Sequence, residues 1–175
     1  GRFDGGLDEV QFFQEKDPSL LPWGKLGIDI VVEATGVFES YEKAAVHLKA
    51  GAKRVVITAP ATDEDTKEGK TVLVGVNEQD FGTCQISSNG SCTTNAASSV
   101  IQILRENPGI LKAVLNTAHG YTATQNLVDG PTRGSDVRRG RAAGQNIVPS
   151  STGAATAVTR AIPELAGKFD GIALR

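Results

Sequence analysis

Two short, almost wholly apolar runs separated by one helical segment constrain the fold of this chain more than any other feature. The first, Ile28-Asp-Ile-Val-Val-Glu33, is rich in β-formers and closes with Ala34-Thr35-Gly36. Residues 40–50 follow with Tyr41, Ala44, Ala45 and Leu48 at helical spacing; Ser40 is placed to cap that helix and Gly51 to stop it. Arg54-Val-Val-Ile-Thr58 is the second run, closed by Pro60. Strands this continuously apolar, joined through a helix, predict a parallel sheet. Ligands of such sheets sit beyond the carboxyl ends of the strands, where Thr35-Gly36 and Thr58-Ala59 fall.

Further along, residues 62–70 are charged and turn-like, and Val72-Leu-Val-Gly-Val76 and Gln85-Ile-Ser87 read as two more strands. After Ser91 the pattern changes. Residues 93–106 predict a helix with Val100, Ile101, Ile103 and Leu104 on its apolar side, ended by Asn107-Pro108-Gly109. Residues 110–118 read as a strand. Residues 121–141 are long, polar and aperiodic, a length that points to function or disorder. A second helix is expected over 152–161, stopped by Pro163, and a strand over 169–174.

Composition narrows the class. Apolar residues make up 39%, enough for a core, and no apolar run approaches the roughly 18 residues of a membrane span. Net charge is −2 but unevenly spread: residues 1–91 hold 9 Lys/Arg against 15 Asp/Glu, residues 92–175 hold 9 against 5, with arginine supplying 7 of those 9. Arginine's planar fork suits phosphate and carboxylate, although an ordinary solvated surface explains the charge equally well. No basic tract is interleaved with stacking aromatics, so nucleic acid is not an expected partner. Cys84 and Cys92 make no disulfide framework, and with His47 and His119 their spacing is too irregular for a zinc site, so no metal is expected. Cys84 reads as a small buried hydrophobe. Methionine is absent, position 1 included, which raises the expectation of a segment of a longer chain over that of a small processed domain.

The chemistry concentrates at Ser91-Cys92-Thr93-Thr94-Asn95, which puts a thiol on the first turn of a helix. Unpaired N–H groups and the positive end of the macrodipole favour a thiolate there. His119, following a strand, could return to the same place as general base or acid. By spacing alone, an inert cysteine and a structural histidine remain open alternatives.

Ser88-Asn-Gly-Ser-Cys-Thr-Thr-Asn95 resembles the active-site signature of the phosphorylating glyceraldehyde-3-phosphate dehydrogenases. His119-Gly-Tyr-Thr-Ala-Thr-Gln125, Asp129-Gly-Pro131, Arg138-Arg-Gly-Arg141 and Pro149-Ser-Ser-Thr-Gly-Ala-Ala155 resemble later blocks of that family in the same order. Glu33-Ala-Thr-Gly36 and Gly51-Ala-Lys-Arg-Val-Val-Ile57 resemble earlier ones. The resemblance implies Cys92 as nucleophile and His119 as its base. Thr122 and Arg175 match the residues holding the substrate's own phosphate, and Ser91, Thr93, Thr152 and Gly153 those lining the site for attacking phosphate. Thr35, Gly36 and Thr58 match the cofactor side, and residues 123–141 an S-shaped loop near the cofactor and between subunits. Chemically the types suit: hydroxyls and N–H groups at helix starts bind phosphate, and Arg175 can pair bidentately.

On this resemblance the fold is α/β. Residues 1–91 are expected to form the later part of a Rossmann-type, parallel-sheet domain binding NAD(P), and residues 92–175 the first part of an α+β catalytic domain. The implied reaction oxidises glyceraldehyde 3-phosphate with inorganic phosphate and NAD, in glycolysis or gluconeogenesis. Gly130-Pro131 leans toward NAD, with NADP left open. A cytoplasmic homotetramer is expected when intact, organellar targeting also being left open, and the chain alone is expected to be inactive. Alternatives are an erythrose-4-phosphate dehydrogenase, a non-catalytic binding paralogue and a cysteine hydrolase. Three departures stand out: Ala96-Ala97-Ser98 where many members carry a second cysteine, Gly90 for a common alanine, and a slightly long 132–137 loop. No G-x-G-x-x-G occurs in the chain.

Overall fold

The computed structural model describes residues 2–4, 9–132 and 134–175. The chain divides into two compact units. One is drawn from residues 1–70 and 80–89, the other from 71–79 and 90–175.

The first unit opens with an antiparallel pair, β1 (Arg2–Asp4) and β2 (Glu9–Gln11), then a single helical turn, α1 (Trp23–Leu26). Next come β3 (Ile30–Glu33), α2 (Tyr41–Lys49), β4 (Arg54–Ile57), β5 (Gly69–Thr71) and β6 (Ile86–Ser88). The sheet order is β3-β4-β6-β5. The expected parallel pairing is present, with Val31 opposite Val55 and Ile57 opposite Ser88. Helix α2 forms where the spacing placed it. Ser40 Oγ accepts the Lys43 N–H at 3.1 Å, which satisfies one orphan donor of the first turn. Its buried Tyr41 and Ala44 pack on Val55, Ile57 and Ile86. Only one face of β3 is covered, so Ile30 and Val32 stay exposed.

Gly51 ends α2 in the left-handed region at φ 105°. A Cβ there would lie 2.5 Å from both Cα and N of Gly24 in α1, so conformation and space both demand glycine. Gly51→Ala is therefore expected to destabilise the intact protein by about 1–3 kcal/mol. A urea titration checks this; an unchanged midpoint would mean that the α1–α2 approach is loose.

The second unit holds α3 (Cys92–Glu106), β7 (Ala113–Ala118), β8 (Pro149–Ser151), α4 (Ala154–Ala161) and β9 (Phe169–Leu174). Strand β9 lies between the other two, parallel to β7 and antiparallel to β8. Ile101, Ala155, Val158, Ile162, Leu165 and Phe169 form the core between α3, α4 and the sheet.

Two expectations need correcting. Residues 72–76 are not a strand: Val72 and Leu73 are buried, but the chain turns, and the Asn77 side chain accepts the Leu73 N–H at 2.8 Å. A short apolar run signals burial without fixing secondary structure. The apolar side of α3 is also narrower than its sequence implied. Ile101 is buried, whereas Val100, Ile103 and Leu104 are exposed, because α4 and the sheet occupy the Ile101 side. The 132–137 loop lies partly outside the described residues.

Candidate active site

Helix α3 begins with Ser91 as N-cap. Ser91 Oγ accepts the Thr94 N–H at 3.0 Å, and Thr94 Oγ1 accepts the Ser91 N–H at 3.2 Å. This reciprocal cap fixes the first turn, with Thr94 fully buried beneath it. Cys92 is the first helical residue, and its thiol is exposed. The thiol's place on the first helical turn matches the reading of this segment from sequence.

His119 arrives from the other direction. It follows β7, and its N–H donates to the Leu174 carbonyl at 2.8 Å, which continues the β7–β9 ladder. Its Nε2 lies 3.4 Å from Cys92 Sγ. Its Nδ1 lies 2.6 Å from the Gly120 carbonyl, which can only accept, so Nδ1 carries a proton and Nε2 is left for the sulfur. The two candidates are thus within proton-transfer reach. They sit beside an apolar groove of about 710 Å³ that also takes in Ala96, Val100, Leu104 and Val114.

Arg175 adds positive charge to the same unit. Its main chain exchanges both hydrogen bonds with Val148, and its Nη1 donates to Thr122 Oγ1 at 3.2 Å and to Gln125 Oε1 at 2.9 Å. Burial and the neighbouring Arg139 pull the Arg175 guanidinium below its ordinary pKa, while Cys92 acts in the opposite sense. Arg175 Nη1 also reaches the Gly120 carbonyl at 3.5 Å, the same carbonyl that His119 Nδ1 meets. Among the described residues, Arg175 Nε and Gln125 Nε2 are buried without hydrogen-bond partners. Cys92, His119, Thr122 and Arg175 are thereby brought together.

The remaining second-unit candidates sit at helix starts. Ser91 and Thr93 flank the thiol. Thr152 and Gly153 open α4, where Thr152 Oγ1 accepts the Ala154 N–H at 3.2 Å; among the described residues neither is hydrogen-bonded to Cys92 or Arg175. Sequence reasoning passed over Gln125, which holds Arg175, and Arg139, which donates to Thr124 Oγ1 at 2.7 Å. Both lie inside the quoted motif blocks, so the signal was present as position rather than as residue type.

In the first unit, Thr35, Gly36 and Thr58 lie just past the ends of β3 and β4. All three are exposed, and Gly36 takes φ 71°. Exposed hydroxyls and main chain at the carboxyl ends of parallel strands fit a polar ligand laid across them. The described residues contain no cluster of three or more His, Cys, Asp or Glu suited to a metal. His47, one of the four residues weighed as zinc ligands, is in contact with the rings of Trp23 and Phe38.

The two cysteines differ sharply. Cys84 is buried, and burial pushes its thiol pKa up. In the intact protein Cys92 should react with iodoacetamide roughly tenfold faster than Cys84 or more, since only an accessible thiolate attacks. Peptide mapping after brief alkylation measures the ratio. Equal labelling at neutral pH would sink the assignment of Cys92 as the reactive thiol.

A parallel-stranded α/β unit followed by a unit with a helix-start thiol facing a histidine defines the class: an α/β protein with a cysteine–histidine site. The family model for the NAD binding domain of glyceraldehyde 3-phosphate dehydrogenase matches residues 4–41, and that for its C-terminal domain matches residues 91–175. The chain is 52% identical over 172 residues to a glyceraldehyde-3-phosphate dehydrogenase of Mycolicibacterium smegmatis, covering 97% of this chain and 49% of that protein. It is 51% identical over 167 residues to glyceraldehyde-3-phosphate dehydrogenase 1 of Kluyveromyces lactis, covering 95% and 49%. With the Clostridium pasteurianum enzyme of the same name it shares 47% over 187 residues, covering 100% and 55%. The chain belongs to the glyceraldehyde-3-phosphate dehydrogenase family. It spans about half the length of the curated relatives it matches.

Proposed function

We propose that the intact protein oxidises glyceraldehyde 3-phosphate and captures the product with inorganic phosphate as 1,3-bisphosphoglycerate. The observation that carries this reading is the 3.4 Å approach of Cys92 Sγ to His119 Nε2 beside Arg175 and Thr122. A bound NAD supplies the hydride acceptor, with Thr35, Gly36 and Thr58 on its side of the first unit. Cys92 thiolate attacks the aldehyde carbon, and the carbonyl oxygen takes a proton to give a hemithioacetal. His119 Nε2 then accepts that hydroxyl proton as the carbonyl re-forms and the carbon-bound hydrogen departs with its electron pair as hydride, leaving an acyl thioester on Cys92. Thr122 and Arg175 hold the substrate's phosphate throughout. Ser91, Thr93, Thr152 and Gly153 orient the attacking phosphate, which expels Cys92 as thiolate and leaves as the acyl phosphate.

In this reading residues 1–91 are the later part of the dinucleotide domain, residues 92–175 the first part of the catalytic domain, and the working form is a cytoplasmic homotetramer. Among the described residues no helix is long and apolar enough to cross a membrane. The test is a spectrophotometric assay of the intact protein for NADH. Turnover should require both the phosphorylated aldehyde and inorganic phosphate. Turnover independent of inorganic phosphate would replace the phosphorolytic step by hydrolysis.

A further inference from the structure

The first unit contains one buried acid–histidine pair that the reaction above does not use. Glu33, the last residue of β3, and His47, in α2, are each 4% exposed, and Glu33 Oε2 lies 2.9 Å from His47 Nε2. The protonation pattern follows from the partners. The indole N–H of Trp23 can only donate, and it meets His47 Nδ1 at 3.2 Å. Nδ1 therefore accepts, and Nε2 carries the proton that it donates to Glu33. On its other oxygen the carboxylate accepts the Thr35 N–H at 2.7 Å and the Thr35 hydroxyl. Burial pushes the Glu33 carboxyl up, but the Thr35 and His47 hydrogen bonds outweigh it and hold the group below its usual value.

Glu33 also acts through its main chain. Its carbonyl accepts the Thr58 N–H at 3.0 Å and the Thr58 hydroxyl at 3.2 Å. One residue thus grips Thr35 by its side chain and Thr58 by its backbone, and these are the two threonines past the ends of neighbouring parallel strands. The main-chain bonds hold Thr58 at the end of the ladder whatever the side chain is, so the carboxylate's part is to set the exposed Thr35 loop against that fixed point.

We propose that the Glu33–His47 pair is a positioning device for dinucleotide binding, which sets Thr35 and Thr58 in one arrangement across the ends of β3 and β4. The proposal rests on the reading of that edge as the dinucleotide side. A pair kept only to satisfy a buried polar site would make no such connection to the loop. The donor count makes the device intolerant of an amide. In Glu33→Gln, an NH2 turned toward Thr35 opposes the Thr35 N–H, which can only donate, and requires the hydroxyl, which already accepts the Val37 N–H at 3.2 Å, to reverse its role. Turned toward His47, it forces the imidazole proton onto Nδ1, against the Trp23 N–H.

The experiment measures NAD binding to the intact protein by calorimetry, beside KM for both substrates, thermal stability and Cys92 alkylation. Glu33→Gln is expected to raise the NAD dissociation constant about tenfold, the scale on which supporting shells act on a bound group, with aldehyde KM and alkylation rate unchanged. His47→Gln, which keeps an N–H donor, should change it less than His47→Leu, which keeps none. That ordering carries the test should Glu33→Gln fold poorly. Unaltered NAD affinity in Glu33→Gln, or equal affinities in the two His47 variants, would overturn the positioning role while leaving the dinucleotide reading intact. A wild-type protein that binds no NAD would instead remove that reading, and this proposal with it.

Discussion

Cys92→Ser is expected to abolish aldehyde oxidation by the intact protein, while His119→Asn slows it by ~10²–10⁴-fold without removing it. The difference follows from what each atom does. No hydroxyl replaces a thiolate as both nucleophile and leaving group, so the serine enzyme has no acyl intermediate to form. Loss of the imidazole removes only the proton acceptor 3.4 Å from the sulfur, a loss of about 3–5 kcal/mol in transition-state stabilisation. The measurement is kcat for both variants under saturating substrates, with a rapid-mixing search for a burst of NADH. A burst of full size in Cys92→Ser would show that the thiol is not the acceptor.

Arg175→Ala should act on KM for the phosphorylated aldehyde rather than on the chemical step. A charge-assisted hydrogen bond is worth ~1.5–3 kcal/mol, so affinity should fall on the order of 10–10²-fold. Thr122→Val, which removes a neutral partner of the same guanidinium, should cost less. Arg175→Lys restores the charge but not the planar fork and should recover only part of the loss. A non-phosphorylated aldehyde analogue supplies the control, because its turnover should be nearly indifferent to all three changes. Unchanged dependence on the phosphorylated substrate in Arg175→Ala would show that Arg175 serves only to hold Gln125 and the strand end.

Much of this was legible in the residues, and the limits have physical reasons. Ser40 and Gly51 bracket α2 because capping and left-handed termination are local properties of one or two residues. The thiol's place at the start of α3 was legible for the same reason. Residues 72–76 misled because apolar content reports burial, while the turn depends on Asn77 reaching back to Leu73. Strands β5 (Gly-Lys-Thr) and β8 (Pro-Ser-Ser) hold no apolar or aromatic residue, so nothing in them reads as a strand. From sequence His47 figures only in a zinc set whose spacing is too irregular; its partner Glu33 lies 14 residues away on another element, a pairing that no periodicity encodes. Arg139 and Gln125 were hidden differently, inside a segment whose polarity looked uniform.

The three-stranded sheet of the second unit carries a last consequence. His119 is hung from Leu174 and Arg175 from Val148, so both side chains take their places from the ladders that flank β9. A slip of one residue in β9 would turn each of its side chains to the opposite face and shift both anchors at once. The alignment of the His119 imidazole and the Arg175 guanidinium is thus a matter of phase between strands, not of local side-chain packing. Drift in sequence can be absorbed readily by side chains around the groove. An inserted or deleted residue within β9 cannot be, however conservative its chemistry, whereas the turn over residues 142–147 can change length with the phase preserved.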